Sequence, residues 1–178
     1  MDIYQIVMTY NRMWSVREIV IFSVIILAVA AVFIHLIRRK KIKMSQGIAR
    51  MLLIFFLGMV FGSTVFTRTA TIRQYKLVPF WSWREIVLYH DRFLLQENLL
   101  NCILLMPVGI LLPVITGHKF RCGTALVIGF LISVMIETSQ LIFMRGLFEW
   151  DDMIHNGIGC LLGCAVMNLA IRNKKSEG

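Results

Sequence analysis

Residues 19–43 read IVIFSVIILAVAAVFIHLIRRKKIK: nineteen residues that are nearly all apolar, then a turn with five basic residues. A helix crosses the hydrocarbon core of a bilayer in roughly 17–25 residues, so the apolar part is long enough to span a membrane. A soluble helix of this length would carry a polar face, whereas here only Ser23 and His35 are polar. The stretch therefore predicts a transmembrane helix, and its sparse polarity predicts a peripheral place in any bundle.

Four more apolar blocks follow along the chain, over residues 48–67, 99–116, 124–144 and 153–171. With 58% hydrophobic and 16% charged residues in 178, they leave no room for a separate soluble domain. We therefore expect an all-α fold, a polytopic integral membrane bundle of five transmembrane helices. Such a bundle has the lipid bilayer as a partner. Residues 1–67 would form an N-terminal pair of transmembrane helices.

The net charge of +9 would suggest nucleic acid in a soluble protein, but here topology explains it. Basic residues gather in cytoplasmic loops. Placing residues 38–43 in the cytoplasm leaves eleven Lys and Arg against one acid on that side, and eight of each on the other. The N-terminus is then predicted outside and the C-terminus inside, with no nucleic acid partner.

The four cysteines fall in or beside apolar blocks and match no zinc or redox spacing, so we expect no metal and no cofactor. Two spans carry glycines four residues apart, Gly58 with Gly62 and Gly159 with Gly163. Such spacing lets helices approach closely. It fits either a compact bundle or a homo-oligomer through glycine-lined helix faces.

One long loop, residues 68–97, is predicted on the outer side. Its middle favours an extended entry to Pro79, then an amphipathic helix in the membrane interface. Trp81, Trp83 and Tyr89 are suited to headgroup depth. We expect an extracytoplasmic, interfacial segment, whose aromatic residues by themselves favour an anchoring belt without a ligand.

Polar residues inside spans recur near the outer ends of the last three predicted helices. Because the third and fifth spans run inward and the fourth runs outward, these residues converge on one layer. Glu137 matters most, since an acid at that depth needs a partner, a proton or a wet cavity. The predicted binding residues are Asn98, Asn101, Glu137, Gln140, Asp151, Asp152 and Asn156, with Arg68 and Arg145 on the flanks.

Other interpretations of these residues stay open. Asn98 and Asp152 could cap their helices. Asn101, Gln140 and Asn156 could be hydrogen-bonding glue between helices. His155 could face headgroups or the pocket, and the sequence gives no reason to favour it as a site residue. Pro107, close to Gly109, predicts an interruption of the third span.

Several of these motifs together resemble the VanZ-like family. The matching stretches are Leu77-Val78-Pro79-Phe80, Asn98-x-x-Asn101-x-x-Leu104-Leu105-x-Pro107-x-Gly109, Ile136-Glu137-x-x-Gln140, Arg145, and Phe148-Glu149-x-Asp151-Asp152-x-x-x-Asn156-x-x-Gly159. One departure is Glu149, where the family often has Asp, and it keeps the charge. The resemblance gives residues 76–171 as a VanZ-like domain with three transmembrane helices.

The resemblance implies a bacterial cytoplasmic-membrane protein, whose family namesake is associated with low-level resistance to teicoplanin, a lipid-bearing glycopeptide. A first hypothesis is an envelope protein whose outer pocket engages a lipid headgroup or the glycopeptide. A second is an intramembrane enzyme on a lipid-linked substrate, with Glu137 and Asp152 as acid and base or cation ligands and the arginines on phosphate. A third is a small transporter or assembly scaffold.

Overall fold

The computed structural model describes residues 12–70 and 72–176, with side chains as far as Arg172. The predicted outer N-terminus, with Asp2, lies outside the described residues, as does Glu177. The elements are α1 (Val16–Arg38), α2 (Met44–Phe61) with a π-helical turn at Gly62–Phe66, β1 (Gln74–Lys76), α3 (Trp81–Tyr89), α4 (Arg92–Leu104), α5 (Met106–Thr116), α6 (Cys122–Phe143), β2 (Leu147–Glu149) and α7 (Trp150–Ser176).

Within the described residues, five helical segments are long and apolar enough to cross a membrane. They are Val16–Arg38, Met44–Phe66, Arg92–Thr116, Cys122–Phe143 and Trp150–Arg172. The predicted all-α class and the number of spans are therefore confirmed. The chain is a multi-pass membrane protein.

The third span differs from its prediction at its start. It begins at Arg92 and not near residue 99, because the Asp91 carboxylate accepts hydrogen bonds from the amides of Phe93 and Leu94 (2.8 and 3.2 Å). Such a cap satisfies amides that the first turn leaves free. The interruption falls at Leu105, between α4 and α5. Pro107 then lies in the first turn of α5, where its missing N–H costs little.

Two short strands close one end of the bundle, and the sequence had not indicated them. β1 and β2 pair in parallel, with Gln74 opposite Leu147 and Lys76 opposite Glu149. Together with α3 they form what we call the strand end. At the opposite, basic end are residues 38–43 and 117–121.

The core lies around α7, which packs along α4, α5 and α6. Its predicted glycine motif makes these contacts close: a Cβ at Gly159 would lie 1.7 Å from the Cys102 carbonyl oxygen, and one at Gly163 2.1 Å from that of Met106. The Gly58 and Gly62 motif of α2 is likewise covered by aromatic side chains from α1 and the residues before it. Both glycine faces are thus occupied within the chain, and a homo-oligomer would have to use another surface.

The first span has the peripheral place that its sequence predicted. No residue of α1 is buried, although α1 is described throughout. It contacts α2 through Phe22, whose ring lies against Gly58. The other four spans therefore build the interior.

We predict that Gly159→Ala destabilises the bundle by about 1–3 kcal/mol, because the added methyl group forces α7 away from the α4 backbone. Thermal unfolding in mild detergent, followed by labelling of the buried thiols of Cys160 and Cys164, measures the change. The matched control is Gly123→Ala, since a Cβ at Gly123 meets nothing within 4 Å. Equal unfolding midpoints for the two variants would contradict this packing.

Candidate functional site

At the strand end, the helices surround a cavity of about 160 Å³. This is room for several water molecules or one small polar group. Its lining residues are Thr64, Arg68, Trp81, Glu97, Asn101, Leu104, Ile136, Glu137, Gln140, Leu147, Glu149, Asp152 and Asn156. The lining thus combines four carboxyl side chains, three amides and one guanidinium among the described residues.

Two hydrogen bonds hold carboxylates of the cavity in place. Asn101 on α4 donates through Nδ2 to Oδ1 of Asp152 on α7 (2.6 Å). The backbone N–H of Glu149 donates to Oε2 of Glu137 on α6 (3.2 Å). Glu137 and Asp152, the two acids singled out in the sequence, therefore face the same cavity from neighbouring helices.

The amide nitrogens of the other two cavity amides point at protein acceptors. Gln140 Nε2 donates to the Thr64 carbonyl oxygen (3.1 Å), and Asn156 Nδ2 to Ser133 Oγ (2.8 Å). Two buried oxygens have no hydrogen-bond partner among the described residues, namely Oε1 of Glu149 and Oδ1 of Asn156. An unpartnered buried acceptor is destabilising, so these oxygens are positions that a ligand or water would satisfy.

Glu149 lies on β2, outside the helical spans, and its surroundings favour the protonated form. Burial, and next the Asp152 carboxylate, raise the pKa of Glu149 to about 8. Lys76, opposite Glu149 in the strand pair, acts in the other direction. At neutral pH the unliganded cavity therefore holds a proton on this carboxyl group.

The wall formed by the interfacial segment is tied down by Asp151. Its carboxylate accepts hydrogen bonds from Phe80 N (2.5 Å), Ser82 N (3.0 Å) and Ser82 Oγ (2.5 Å). Phe80 has a left-handed backbone (φ 60°), which is unfavourable for a bulky residue and is held here by these bonds. Asn98 Nδ2 adds a bond to Ser82 Oγ (3.0 Å). Asp151 and Asn98 thereby place α3 and its Trp81 at the cavity.

The π-helical turn of α2 is fixed from α6 and the loop after it. Arg145 donates through Nη1 to the carbonyl oxygens of Val65 (3.1 Å) and Phe66, while Gln140 binds that of Thr64. These are carbonyl groups that the end of a helix leaves without partners. Arg145 is thus used in closing the bundle, and Arg68 is the arginine that reaches the cavity.

Six of the nine predicted binding residues line the cavity: Arg68, Asn101, Glu137, Gln140, Asp152 and Asn156. The structure places Asn98, Arg145 and Asp151 among the supporting contacts behind its wall. His155 also lies outside it, buried and accepting a hydrogen bond from Trp83 Nε1 (2.8 Å).

Sequence reasoning missed Glu97 and Glu149 as cavity residues, together with Thr64 and Trp81. Glu97 precedes Asn101 by four residues, so the two share a helix face, and a helix starting at Arg92 would have revealed it. In the sequence, Glu149 was noted only as a position of the family motif and was not predicted to bind a ligand. Its place depends on a strand pairing between segments over 70 residues apart, which local spacing does not signal.

Among the described residues, no group of three or more His, Cys, Asp or Glu side chains is positioned to hold a metal ion. The four acids of the lining come from four different elements, α4, α6, β2 and α7. The arrangement suits a ligand of several atoms that makes separate hydrogen bonds.

Five helices long and apolar enough to span a membrane, with a polar, acid-lined cavity at one end, define the class: a multi-pass membrane protein with a polar cavity. The VanZ/LLP1 family model matches residues 46–171, most of the chain. The chain belongs to the VanZ/LLP1 family, as the motif resemblance predicted, and the match includes the second span. No curated protein and no solved structure matches the chain.

We predict that Asp151→Asn loosens α3, because an amide has one acceptor oxygen, whereas the carboxylate has two and accepts from three donors of the segment. The loss is about 1–3 kcal/mol of local stability. Hydrogen exchange of the Trp81–Tyr89 amides, measured by mass spectrometry in detergent, should accelerate. The control is Asp91→Asn, since Asn is as good an N-cap as Asp. Unchanged protection in Asp151→Asn would refute the tethering role.

Proposed function

We propose that this chain is a VanZ-type protein of a bacterial cytoplasmic membrane whose cavity binds a small polar group at the outer leaflet. Through that binding it lowers susceptibility to lipoglycopeptides such as teicoplanin, or alters the properties of the cell envelope. The observation that carries the proposal is the polar cavity with its two unpartnered acceptors, buried in an otherwise apolar bundle. Buried polar groups in a membrane are retained where function requires them.

The charge distribution supports an outward-facing cavity. The basic end contains the run at residues 38–43 with Lys119 and Arg121, and Arg50 reaches the backbone there through a bond to the Ile115 carbonyl oxygen (3.2 Å). Basic residues favour the cytoplasmic side. The strand end and its cavity would then open toward the outer leaflet.

Binding is favoured over catalysis by what the cavity contains. Thr64 is the hydroxyl residue of the lining among the described residues, and its Oγ1 donates to the Val60 carbonyl oxygen (2.7 Å) instead of to a base. No activated nucleophile with its base is formed there. The enzyme alternative keeps Glu137 and Asp152 as acid and base, but of its two phosphate-binding arginines, Arg145 is bound to backbone.

We predict that expression in a susceptible host raises the inhibitory concentration of teicoplanin several-fold. Asp152→Asn should abolish the effect, because it removes a charge from the cavity wall, whereas Asp91→Asn should preserve it. Immunoblots of membrane fractions must show equal amounts of all three proteins. Unchanged susceptibility with the wild-type protein in the membrane would eliminate the resistance function.

The orientation has its own test, labelling of single cysteines in intact cells with a membrane-impermeant maleimide. Tyr89→Cys, at the exposed end of α3, should react in intact cells. His118→Cys, in the exposed turn of the basic end, should react only after permeabilisation. Both are made in a Cys122→Ser background, because Cys122 is partly accessible near that turn. The reverse pattern would place the cavity on the cytoplasmic side.

A further inference from the structure

We infer that the cavity selects a cationic group that donates hydrogen bonds, an alkylammonium of headgroup size, and discriminates against phosphate. This rests on the proposed function, because it assigns a ligand class to the site proposed there. It is carried by the hydrogen-bonding and charge pattern of the cavity wall.

The unpartnered groups of the wall that accept hydrogen bonds are deeply buried. Glu149 is 7% exposed and Asn156 is 3% exposed, and each has one side-chain oxygen without a partner among the described residues. Both residues line the cavity. A group entering it would therefore meet the Asn156 oxygen, which needs an N–H or O–H donor, and Glu149, whose free oxygen accepts a hydrogen bond once the carboxyl group has lost its proton.

The amide donors of the wall are engaged already, whereas Trp81 Nε1 is a buried donor without a hydrogen-bond partner among the described residues. The amide nitrogens of Asn101, Gln140 and Asn156 are each hydrogen-bonded to a protein acceptor, on Asp152, Thr64 and Ser133 respectively. An incoming phosphate needs donors. Here it would find Trp81 Nε1 and the Arg68 guanidinium set among four acidic side chains, which disfavour an anion.

The balance of charge agrees with the hydrogen bonding. Glu97, Glu137, Glu149 and Asp152 face the cavity against Arg68 among the described residues. Lys76 lies nearby, but its ammonium group sits over the Trp81 ring, 3.0 Å from the centroid. A cation in the cavity would meet more acidic than basic side chains, and its charge would favour the ionised form of the acids.

A metal ion would meet the same charges, but the geometry favours an organic cation. The described acids form no metal-binding group, whereas an ammonium group can place its three N–H donors on separate oxygens. The 160 Å³ of the cavity suits a group of that size.

Binding should be linked to proton release at Glu149. The charged groups that face Glu149 from the surrounding elements are Lys76, Glu97, Glu137, Asp151, Asp152 and Arg68. Its carboxyl group holds a proton in the empty cavity, and an ammonium group would favour the ionised form. The proton leaves to solvent, so affinity should increase as the pH rises from 6 toward 8.

Isothermal titration of the purified, full-length protein in detergent tests the assignment with three short-chain lipids. Phosphatidylethanolamine supplies a donating ammonium, phosphatidylcholine a quaternary ammonium without N–H, and phosphatidylglycerol no cation. We expect phosphatidylethanolamine to bind most tightly and phosphatidylglycerol most weakly. Ethanolamine alone distinguishes the source: equal affinity for it points to a soluble amine, and weaker affinity points to a lipid headgroup.

Glu149→Gln should weaken phosphatidylethanolamine binding roughly tenfold or more, as expected for losing a charged hydrogen bond, and should flatten its pH dependence. The control is Asp91→Asn, an acid at the same end of the bundle but off the cavity. If Glu149→Gln does not fold, the relative affinities of the wild-type protein for the three lipids, and the pH dependence of its binding, test the inference by themselves.

Equal or tighter binding of phosphatidylglycerol, equal binding of phosphatidylcholine, or no binding of any probe would each overturn the inference. Teicoplanin susceptibility is measured separately. An ammonium preference without a change in susceptibility refutes the resistance function alone. Altered susceptibility without that preference refutes the ligand class alone.

Discussion

Asp151 lies at the start of α7 and its carboxylate accepts hydrogen bonds from two backbone amides and one hydroxyl group of the interfacial segment. These bonds fix the left-handed turn at Phe80, orient α3 and bring Trp81 to the cavity. The strand pair between β1 and β2 then holds Glu149 beside Glu137. One carboxylate behind the wall therefore holds the segment that carries Trp81 to the cavity.

The helices below the cavity depend on a different constraint, the absence of side chains at their closest approaches. Gly159 and Gly163 let α7 lie against the backbone of α4 and α5. Without the hydrophobic effect to drive helix association in lipid, such close packing supplies much of the stability. It also sets the depth at which Asp152 and Asn156 meet Asn101 and Ser133. Packing and site geometry are thus parts of the same arrangement.

The cavity contains four acids in a buried place where ionised groups are unfavourable. Protonation of Glu149 lowers this electrostatic free energy in the empty state, and a bound cation would lower it in the bound state. The exchange of a proton for a cationic ligand connects the electrostatics of the wall with the function proposed for it. Because Arg145 is bound to the carbonyl groups of the π-helical turn, it does not compete for this role.

The sequence by itself determined the membrane class, the five spans, the family and most of the polar residues that line the cavity. Hydropathy and local spacing carry this information, because a span must be apolar along its length and residues three or four apart share a face. Tertiary structure alone decided that Asp151, Asn98 and Arg145 support the wall, and that Glu97 and Glu149 belong to it. The physical reason is that the partner of a side chain is set by the packing of segments far apart in the chain. The same type of polar residue can therefore bind a ligand or hold a backbone segment, depending on which backbone groups that packing leaves without hydrogen bonds.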